Sequence, residues 1–284
     1  MRVAITGTSG FIGRALAQSM AGEHDVVCLS RQKTEVDGVT PIQADFTSPD
    51  GLRALDAHEL DALIHLAAVT SHGTEEEQLG VNVLGTRRLL RHLIDRGCRK
   101  FILASSIAAA GVLCPEFRPL QLPMPDAHPC LDTMGYGFSK YLMEELVRHI
   151  SRQDGSLDLI VLRLSGILRD DATRVRYSAK PPFNWGMAHL SSMYVSDAIR
   201  CLTLAAEAPI EPGCRIMNAV GPQASVVDPV PETIRARYGD DADALDLSHY
   251  ERPGHERDPV FDTSRIEQEL GFTAERDVSE EGSP

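Results

Sequence analysis

Apolar and polar positions along the first two-thirds of the chain alternate between two periods. Short continuous apolar runs, "RVAIT", "DVVCLS", "DALIHLAA", "KFILAS" and "LDLIVLRL", read as strands buried on both faces. Between them lie stretches with helical periodicity: "FIGRALAQSMA", the short "SPDGLRALDA", "TEEEQLGVNVLGTRRLLRHLIDRG" and residues 132–154. In the third of these, Leu79, Val83, Leu84, Leu90 and Leu93 make an apolar stripe. "TPIQA" predicts a further short strand. Such alternation predicts an α/β fold, a doubly wound parallel sheet covered by helices on both faces. After residue 164 the pattern becomes irregular, with one helix near 194–207, a strand near 214–219 and an acidic tail.

Between "KFILASS" and the helix that opens "YGFSK" lies "CPEFRPLQLPMPDAHP", with prolines at 115, 119, 123, 125 and 129. So many prolines predict a long ordered loop or lid, where functional segments often sit. Composition narrows the partners. A net charge of −13 excludes nucleic acid and anionic membranes, which both demand a basic face. The longest apolar stretch, residues 101–114, carries two serines and is too short to cross a bilayer. "MRVAITG" enters a strand at once with no signal-peptide layout, so a soluble cytoplasmic protein is expected. Six cysteines, at 28, 98, 114, 130, 201 and 214, form no C-x-x-C, which fits a reducing compartment better than a disulfide framework. Cys28, Cys98 and Cys201 sit in apolar or helical surroundings and read as small hydrophobes. Ten histidines are scattered without H-x-x-x-H or a nearby carboxylate cluster, so no metal site is expected.

Two motifs carry chemistry. "AITGTSGFIGRAL" places Gly7, Gly10 and Gly13 directly after the first strand and before a helix. Glycines there let the backbone turn tightly and approach a pyrophosphate, while the helix start offers free N–H groups and a positive dipole end. In this context the loop predicts a bound dinucleotide. "MGYGFSKYLMEEL" sets Tyr136 and Lys140 four positions apart, on one face of a helix. An ammonium beside a phenol favours the phenolate and lowers its pKa toward the range useful for proton exchange. The plainer reading is a boundary tyrosine beside a solvated lysine, and the motif alone does not choose.

The order of several stretches chooses. "TGTSGFIG", "ADF", "HLAA", "NVLGT", "ILASS", "YGFSK", "YVSDAI" and "DTSRIEQELGF" follow one another along nearly the whole chain. In this the sequence resembles the extended short-chain dehydrogenase/reductases, a family of NAD-dependent epimerases, dehydratases and reductases. The resemblance implies a Rossmann domain over residues 1–164, to which 194–219 return. A small C-terminal substrate-binding region would comprise 165–193 and 220–284. It implies that Ser106 orients the substrate oxygen, Tyr136 transfers a proton, and Lys140 holds the nicotinamide ribose and depresses the tyrosine pKa. The dinucleotide would lie against Gly7, Gly10, Phe11, Ile12 and Gly13. Asp45 and Phe46 would border its adenine, and Leu66, Ala67 and Ala68 would run along its ribose and pyrophosphate. Asn82 supports a water or the local backbone, or simply caps; Ser105 reads as an ordinary strand-end serine. The family also implies a homodimer, with helices near 75–96 and 132–154 pairing with their copies in a four-helix bundle.

Three departures from the family pattern refine the expectation. NAD enzymes of this fold usually end the second strand with Asp or Glu, whereas this chain has Ser30 and Arg31. A guanidinium grips a 2′-phosphate with two parallel bonds, so NADP is favoured over NAD, although an arginine stacked on adenine leaves NAD open. Ser106 is followed by Ile107, Ala108, Ala109, Ala110 and Gly111, without the Asp–Glu pair that elimination needs, so dehydration is not expected. "SGILRD" replaces the family's usual motif after "LRL", and only about thirty residues separate Arg163 from Tyr194, shorter than in nucleotide-sugar enzymes. A small polar or sugar-like substrate is therefore expected, under the proline-rich loop. Thr70, His72, Ser106, Arg169 and Trp185 are its candidate contacts. Arg169, Arg174 and Arg176 bind an anion or stay solvated; Phe183 and Trp185 line the pocket or only pack. The expected activity is hydride transfer between a nicotinamide and a secondary alcohol or ketone. The alternatives are a sugar or nucleotide-sugar epimerase with tightly bound cofactor, and a non-catalytic NAD(P)-sensing regulatory protein.

Overall fold

The computed structural model describes residues 1–70 and 72–277. Its chain order is β1 (Arg2–Thr6), α1 (Phe11–Met20), β2 (Asp25–Ser30), β3 (Thr40–Gln43), α2 (Pro49–Arg53), β4 (Ala62–His65), α3 (Glu75–Gln78), α4 (Thr86–Ile94) and β5 (Lys100–Ser106). There follow α5 (Tyr136–Gln153), β6 (Asp158–Leu164), β7 (Gly166–Leu168), β8 (Ser192–Tyr194), α6 (Val195–Glu207), β9 (Gly213–Ala219), α7 (Val230–Tyr238) and α8 (Ser264–Leu270). Seven strands form a parallel sheet in the order β3-β2-β1-β4-β5-β6-β9. The strand order reverses between β1 and β4, the point where open sheets of this kind open a crevice at their carboxyl ends.

Side-chain alternation along the strands explains the two layers of helix. Val3, Ile5, Ile64, Ile102 and Ile160 face one core, which α1, α6 and α8 cover through Leu16, Leu202 and Ile266. Ala4, Leu63, Phe101, Leu103 and Val161 face the other, covered by α2, α4 and α5. Strands apolar on both faces therefore fit only in the middle of the sandwich.

Two sequence expectations are corrected. The helix expected from residue 132 begins at Tyr136, because Asp132 Oδ1 instead accepts the amides of Met134 at 3.0 Å and Gly135 at 2.8 Å. The stripe across 79–93 splits: Leu90 and Leu93 are buried, whereas Leu84 is 53% exposed. Between α3 and α4 the helix widens into a π-helical turn, Leu79–Gly85, which rotates the two halves relative to a regular period. The proline-rich loop is an ordered one, the first of its two readings. Phe117, Leu122 and Met124 are buried in a third core, and the Met124 amide and carbonyl bond Val260 O and Asp262 N, each at 2.9 Å.

The C-terminal part is more ordered than its pattern predicts. β7 pairs in parallel with β8, and α7 joins Trp185, Met187 and Leu190 in the third core. Helix α8 behaves differently: Ile266, Leu270, Phe272 and Ala274 pack into the sheet's first core, away from the segment grouped with them by sequence. Residues 278–284 of the acidic tail lie outside the described residues.

Candidate active site

The glycine loop turns the chain from β1 into α1. Gly7 has φ +78°, and a Cβ there would lie 2.8 Å from Ala67 N, so only glycine lets this turn press on the backbone after β4. Gly13 fits for a different reason, since its Cβ would overlap Gly7 O. The α-helical ladder begins with Arg14 N donating to Gly10 O at 3.0 Å, so the amides of Phe11, Ile12 and Gly13 precede it at the helix start. A cavity of about 510 Å³ opens above them, within the range of small-molecule and cofactor sites.

That cavity collects the sequence-predicted cofactor residues. Its walls include Gly7, Gly10, Phe11, Ile12, Gly13 and Arg31, then Asp45, Phe46, Leu66, Ala67 and Ala68. At its other end it meets Ser106, Tyr136, Lys140 and Thr70. Elongated, glycine-floored at a helix start and polar at the far end, this space suits a dinucleotide. Asp45 is turned inward on its own loop, with Oδ1 accepting Thr47 N at 2.8 Å and Thr47 Oγ1 at 2.7 Å. Phe46 sets its ring edge-on to His65, with centroids 5.1 Å apart.

The polar end is built by β5 and α5. Lys140 is buried and donates from Nζ to Ala104 O at 2.8 Å. Burial pushes its ammonium down to about 8, with the nearby Glu144 carboxylate acting in the opposite direction. Burial raises the Tyr136 phenol above its ordinary value, and a hydrogen bond with Ser106 partly offsets this. The sequence expectation of a phenol depressed by lysine is thus corrected for the protein alone: desolvation outweighs the Ser106 hydrogen bond. Ser106 Oγ also accepts Ala108 N at 3.1 Å, which fixes the hydroxyl at the strand end.

Two buried side chains brace this floor. His65 Nδ1 lies 2.7 Å from Thr6 Oγ1 and Nε2 3.0 Å from Thr86 Oγ1, and Thr6 Oγ1 accepts the amides of Leu66 and Ala67, each at 3.2 Å. Burial, with the Lys140 charge adding to it, pushes the imidazole down to about 3, so His65 is neutral. Asn82 supports the local backbone, the first of its two readings. Its amide bonds both the N–H and the carbonyl of Val69, at 2.8 and 2.9 Å, and donates to Ser139 Oγ at 3.0 Å. Ser139 Oγ in turn donates to Tyr136 O at 2.8 Å, so the π-helical turn, the loop after β4 and the Tyr136 helix are locked together.

Three candidate substrate contacts are not brought to this cavity. His72 is exposed on the loop before α3. Arg169 is solvated and forks onto Asp171, at 2.9 and 3.1 Å. Trp185 is 4% exposed and packs in the third core, its ring 6.1 Å from that of Phe183. Arg174 is also buried, paired with Asp277 at 2.7 Å. Ser165 and Ile167, not singled out in the sequence, line the cavity just past β6. Their place at the carboxyl end of a strand beside β5 is the signal that could have found them. The histidines are less isolated than expected: ligand atoms of His249, His255 and Asp258 fall within 4.8 Å of one another, as do those of Glu23, His24 and Glu207. In the first group the contacts are already made among side chains. His249 Nε2 and His255 Nδ1 each lie 2.8 Å from Asp258 Oδ2, and Arg252 donates to His249 Nδ1 at 2.6 Å.

Comparison with known proteins places this geometry. The model of the NAD dependent epimerase/dehydratase family matches residues 3–168. The D-erythronate dehydrogenase of Haemophilus influenzae is 33% identical over 187 residues, 59% of this chain and 55% of its own length. A UDP-glucose 4-epimerase of Halalkalibacterium halodurans is 27% identical over 173 residues, 57% of this chain and 50% of its own. The chain thus spans about half the length of the curated relatives it matches. Among solved structures, a short-chain dehydrogenase/reductase superfamily protein from Agrobacterium tumefaciens with bound NAD has a TM-score of 0.69 at 23% identity. That match covers 98% of this chain and 93% of that one. The UDP-glucose 4-epimerase of Bifidobacterium longum, in complex with NAD+ and UDP, has a TM-score of 0.70 at 17% identity, covering 98% and 94%. These two likenesses concern the fold. Since the family model runs through the glycine loop, the ends of β4 and β5 and the helix of Tyr136 and Lys140, more than half of the 284 residues, the chain belongs to the NAD dependent epimerase/dehydratase family.

Proposed function

We propose that this chain is an NAD(P)-dependent oxidoreductase acting on a secondary alcohol or ketone of a small, sugar-like substrate. The observation that carries the reading is the meeting of Ser106, Tyr136 and Lys140 at one end of the cavity whose other end is the glycine loop. The chemistry supplied by a bound nicotinamide dinucleotide is hydride transfer at its ring. In oxidation, Ser106 would hold the substrate hydroxyl and Tyr136 Oη would take its proton; in reduction the same proton returns. Lys140 would hold the ribose and stabilise the deprotonated phenol. Elimination finds no support, because Ile107–Ala110 form a buried apolar turn after Ser106.

Finer features belong to the same reading. NADP is preferred to NAD, supported by Ser30 and Arg31 lining the cavity at the end of β2, where no carboxylate stands. The substrate is small, supported by Thr70, Ser165 and Ile167 among the walls of the cavity and by a relative that is a dehydrogenase named for a sugar acid. The third core, around 165–193 and 220–261, is the substrate-binding region. The chain forms a homodimer through a four-helix bundle, supported by Leu84, 53% exposed, and Phe138, 37% exposed, on the two helices concerned. A cytoplasmic setting is supported by six free cysteines, while no helix among the described residues is long and apolar enough to cross a membrane.

Matches to UDP-glucose 4-epimerases favour a second reading, epimerisation with a retained cofactor. A substrate panel of sugar acids, free sugars and UDP-sugars, run with both cofactors, separates the two. The oxidoreductase reading expects net change in reduced-nicotinamide absorbance with a small substrate. Epimerised product with no added cofactor and no net change would replace it.

A further inference from the structure

Four residues beyond Lys140 on α5, Glu144 is fully buried. Its carboxylate receives a fork from Arg163, Nε at 2.8 Å on Oε1 and Nη2 at 2.7 Å on Oε2, and Ser105 Oγ donates to Oε1 at 2.7 Å. Arg163 is 2% exposed and spends a further donor on Asp126 O at 2.9 Å. A carboxylate wholly out of water stays ionised only when its oxygens are met in this way. Ser105 and Arg163 are register partners on β5 and β6, so one side chain of α5 gathers two adjacent strand ends.

The flanking residues give this clamp its consequence. Ala104, before Ser105, accepts Lys140 Nζ at 2.8 Å; Ser106, after it, is the hydrogen-bond partner of Tyr136. Helix and strand therefore meet through three consecutive strand residues, 104–106, and three helix residues spaced one turn apart, Tyr136, Lys140 and Glu144. Lys140 has a neutral carbonyl as its bonded partner, and Glu144 supplies the facing negative charge. We infer that Glu144 is a positioning residue for the reaction, clamping α5 onto the ends of β5 and β6 so that Tyr136 and Lys140 keep their places at the cavity. The inference rests on the oxidoreductase reading. The charged or titratable groups that face Glu144 are Arg163 on β6, Lys140 on α5, Cys130 before α5 and Cys214 on β9, with Asp126 beyond Arg163.

The test follows the affinity for NADPH and NADH, by reduced-nicotinamide fluorescence, from about pH 6 to about pH 9. Wild type and the surface control Glu145→Gln should share one profile. Glu144→Gln should lose affinity at a midpoint about one pH unit lower, with turnover down about tenfold at neutral pH, since the charge that supports Lys140 is gone. Glutamine leaves Arg163 unpaired and risks unfolding, so Glu144→Leu/Arg163→Met removes the buried pair together, a change cores often tolerate. Folded, it should show a smaller downward shift, because the Arg163 charge leaves with that of Glu144, yet the same loss of turnover, because the clamp on α5 is gone. A folded double variant with wild-type turnover and the wild-type pH profile would overturn the inference while leaving the oxidoreductase reading intact. Failure of both variants to fold would also overturn it, since the pair would then serve stability first. Wild type that binds neither cofactor at any pH would remove the oxidoreductase reading, and the inference with it.

Discussion

Arg31 and Lys140 mark the two ends of the cavity, and each makes a prediction of its own. Arg31 is exposed where β2 ends, free to fork onto a 2′-phosphate. Arg31→Asp should weaken NADPH by about tenfold or more and favour NADH, measured as the ratio of dissociation constants. Equal wild-type use of both cofactors would show that the guanidinium only stacks. Lys140 is an ammonium held in a dry site, its pKa brought down to about 8. Its folded value lies below its unfolded one, so the unfolded chain binds more protons between about pH 8 and about pH 10.5 and stability rises with pH across that window. Lys140→Met should therefore abolish turnover at neutral pH yet hold or raise the melting temperature, a trade common at active sites. A clear fall in melting temperature would mean that packing, not chemistry, fixes this lysine. Lys140 was legible from Y-x-x-x-K set within the order of the family's stretches, and Arg31 from its place at the end of the second strand. His72, Arg169 and Trp185 were not, because spacing does not say whether a side chain turns to the cavity, to a carboxylate two residues along such as Asp171, or into an apolar core built from distant segments.

Helices α3 and α4 show what period alone misses. The capping box of Thr74 and Glu77 starts the helix. The π-helical turn that follows places Asn82 over Val69 and shifts the apolar stripe, leaving Leu84 in solvent. Gly85 permits the close approach, since a Cβ there would lie 2.9 Å from the Phe46 ring. Nothing in hydrophobic spacing announces an extra residue in one turn. In α5, likewise, the start at Tyr136 is set by Asp132 accepting two amides, a capping signal hidden behind a helix-like pattern. On the reading that these helices pair with their copies, the wild type should run as a dimer at micromolar concentration by light scattering. Leu84→Glu/Phe138→Glu should shift it to monomer, by setting charges into an apolar seam. A wild-type monomer would contradict the bundle.

Across the whole molecule, the parallel sheet with helices on both faces was legible because doubly buried strands alternate with helices over 164 residues. Helices α7 and α8 and the β7–β8 pair were not, since their stability comes from packing on the third core and on the sheet rather than from their own periodicity. His65 ties the sheet's middle to the site and predicts how the fold responds to acid. Its pKa is about 3 when folded and near 6.5 when free, so the unfolded chain binds the extra proton as pH falls below about 6.5. Stability should then drop by up to about 1.4 kcal/mol per pH unit toward pH 3, and urea unfolding of His65→Gln should show a shallower loss. An equal slope in both would mean that other groups govern acid unfolding. The central claim, that Tyr136 moves a proton while a nicotinamide dinucleotide bound in the cavity of the glycine loop exchanges hydride with a small substrate, is tested most directly by one comparison. Reduced-nicotinamide absorbance is followed with wild type and Tyr136→Phe, each at saturating cofactor, on the substrate that turns over fastest. The account predicts turnover by wild type and at least a 10²-fold loss in Tyr136→Phe with cofactor affinity nearly unchanged; a variant that keeps more than about a tenth of the wild-type rate would contradict it.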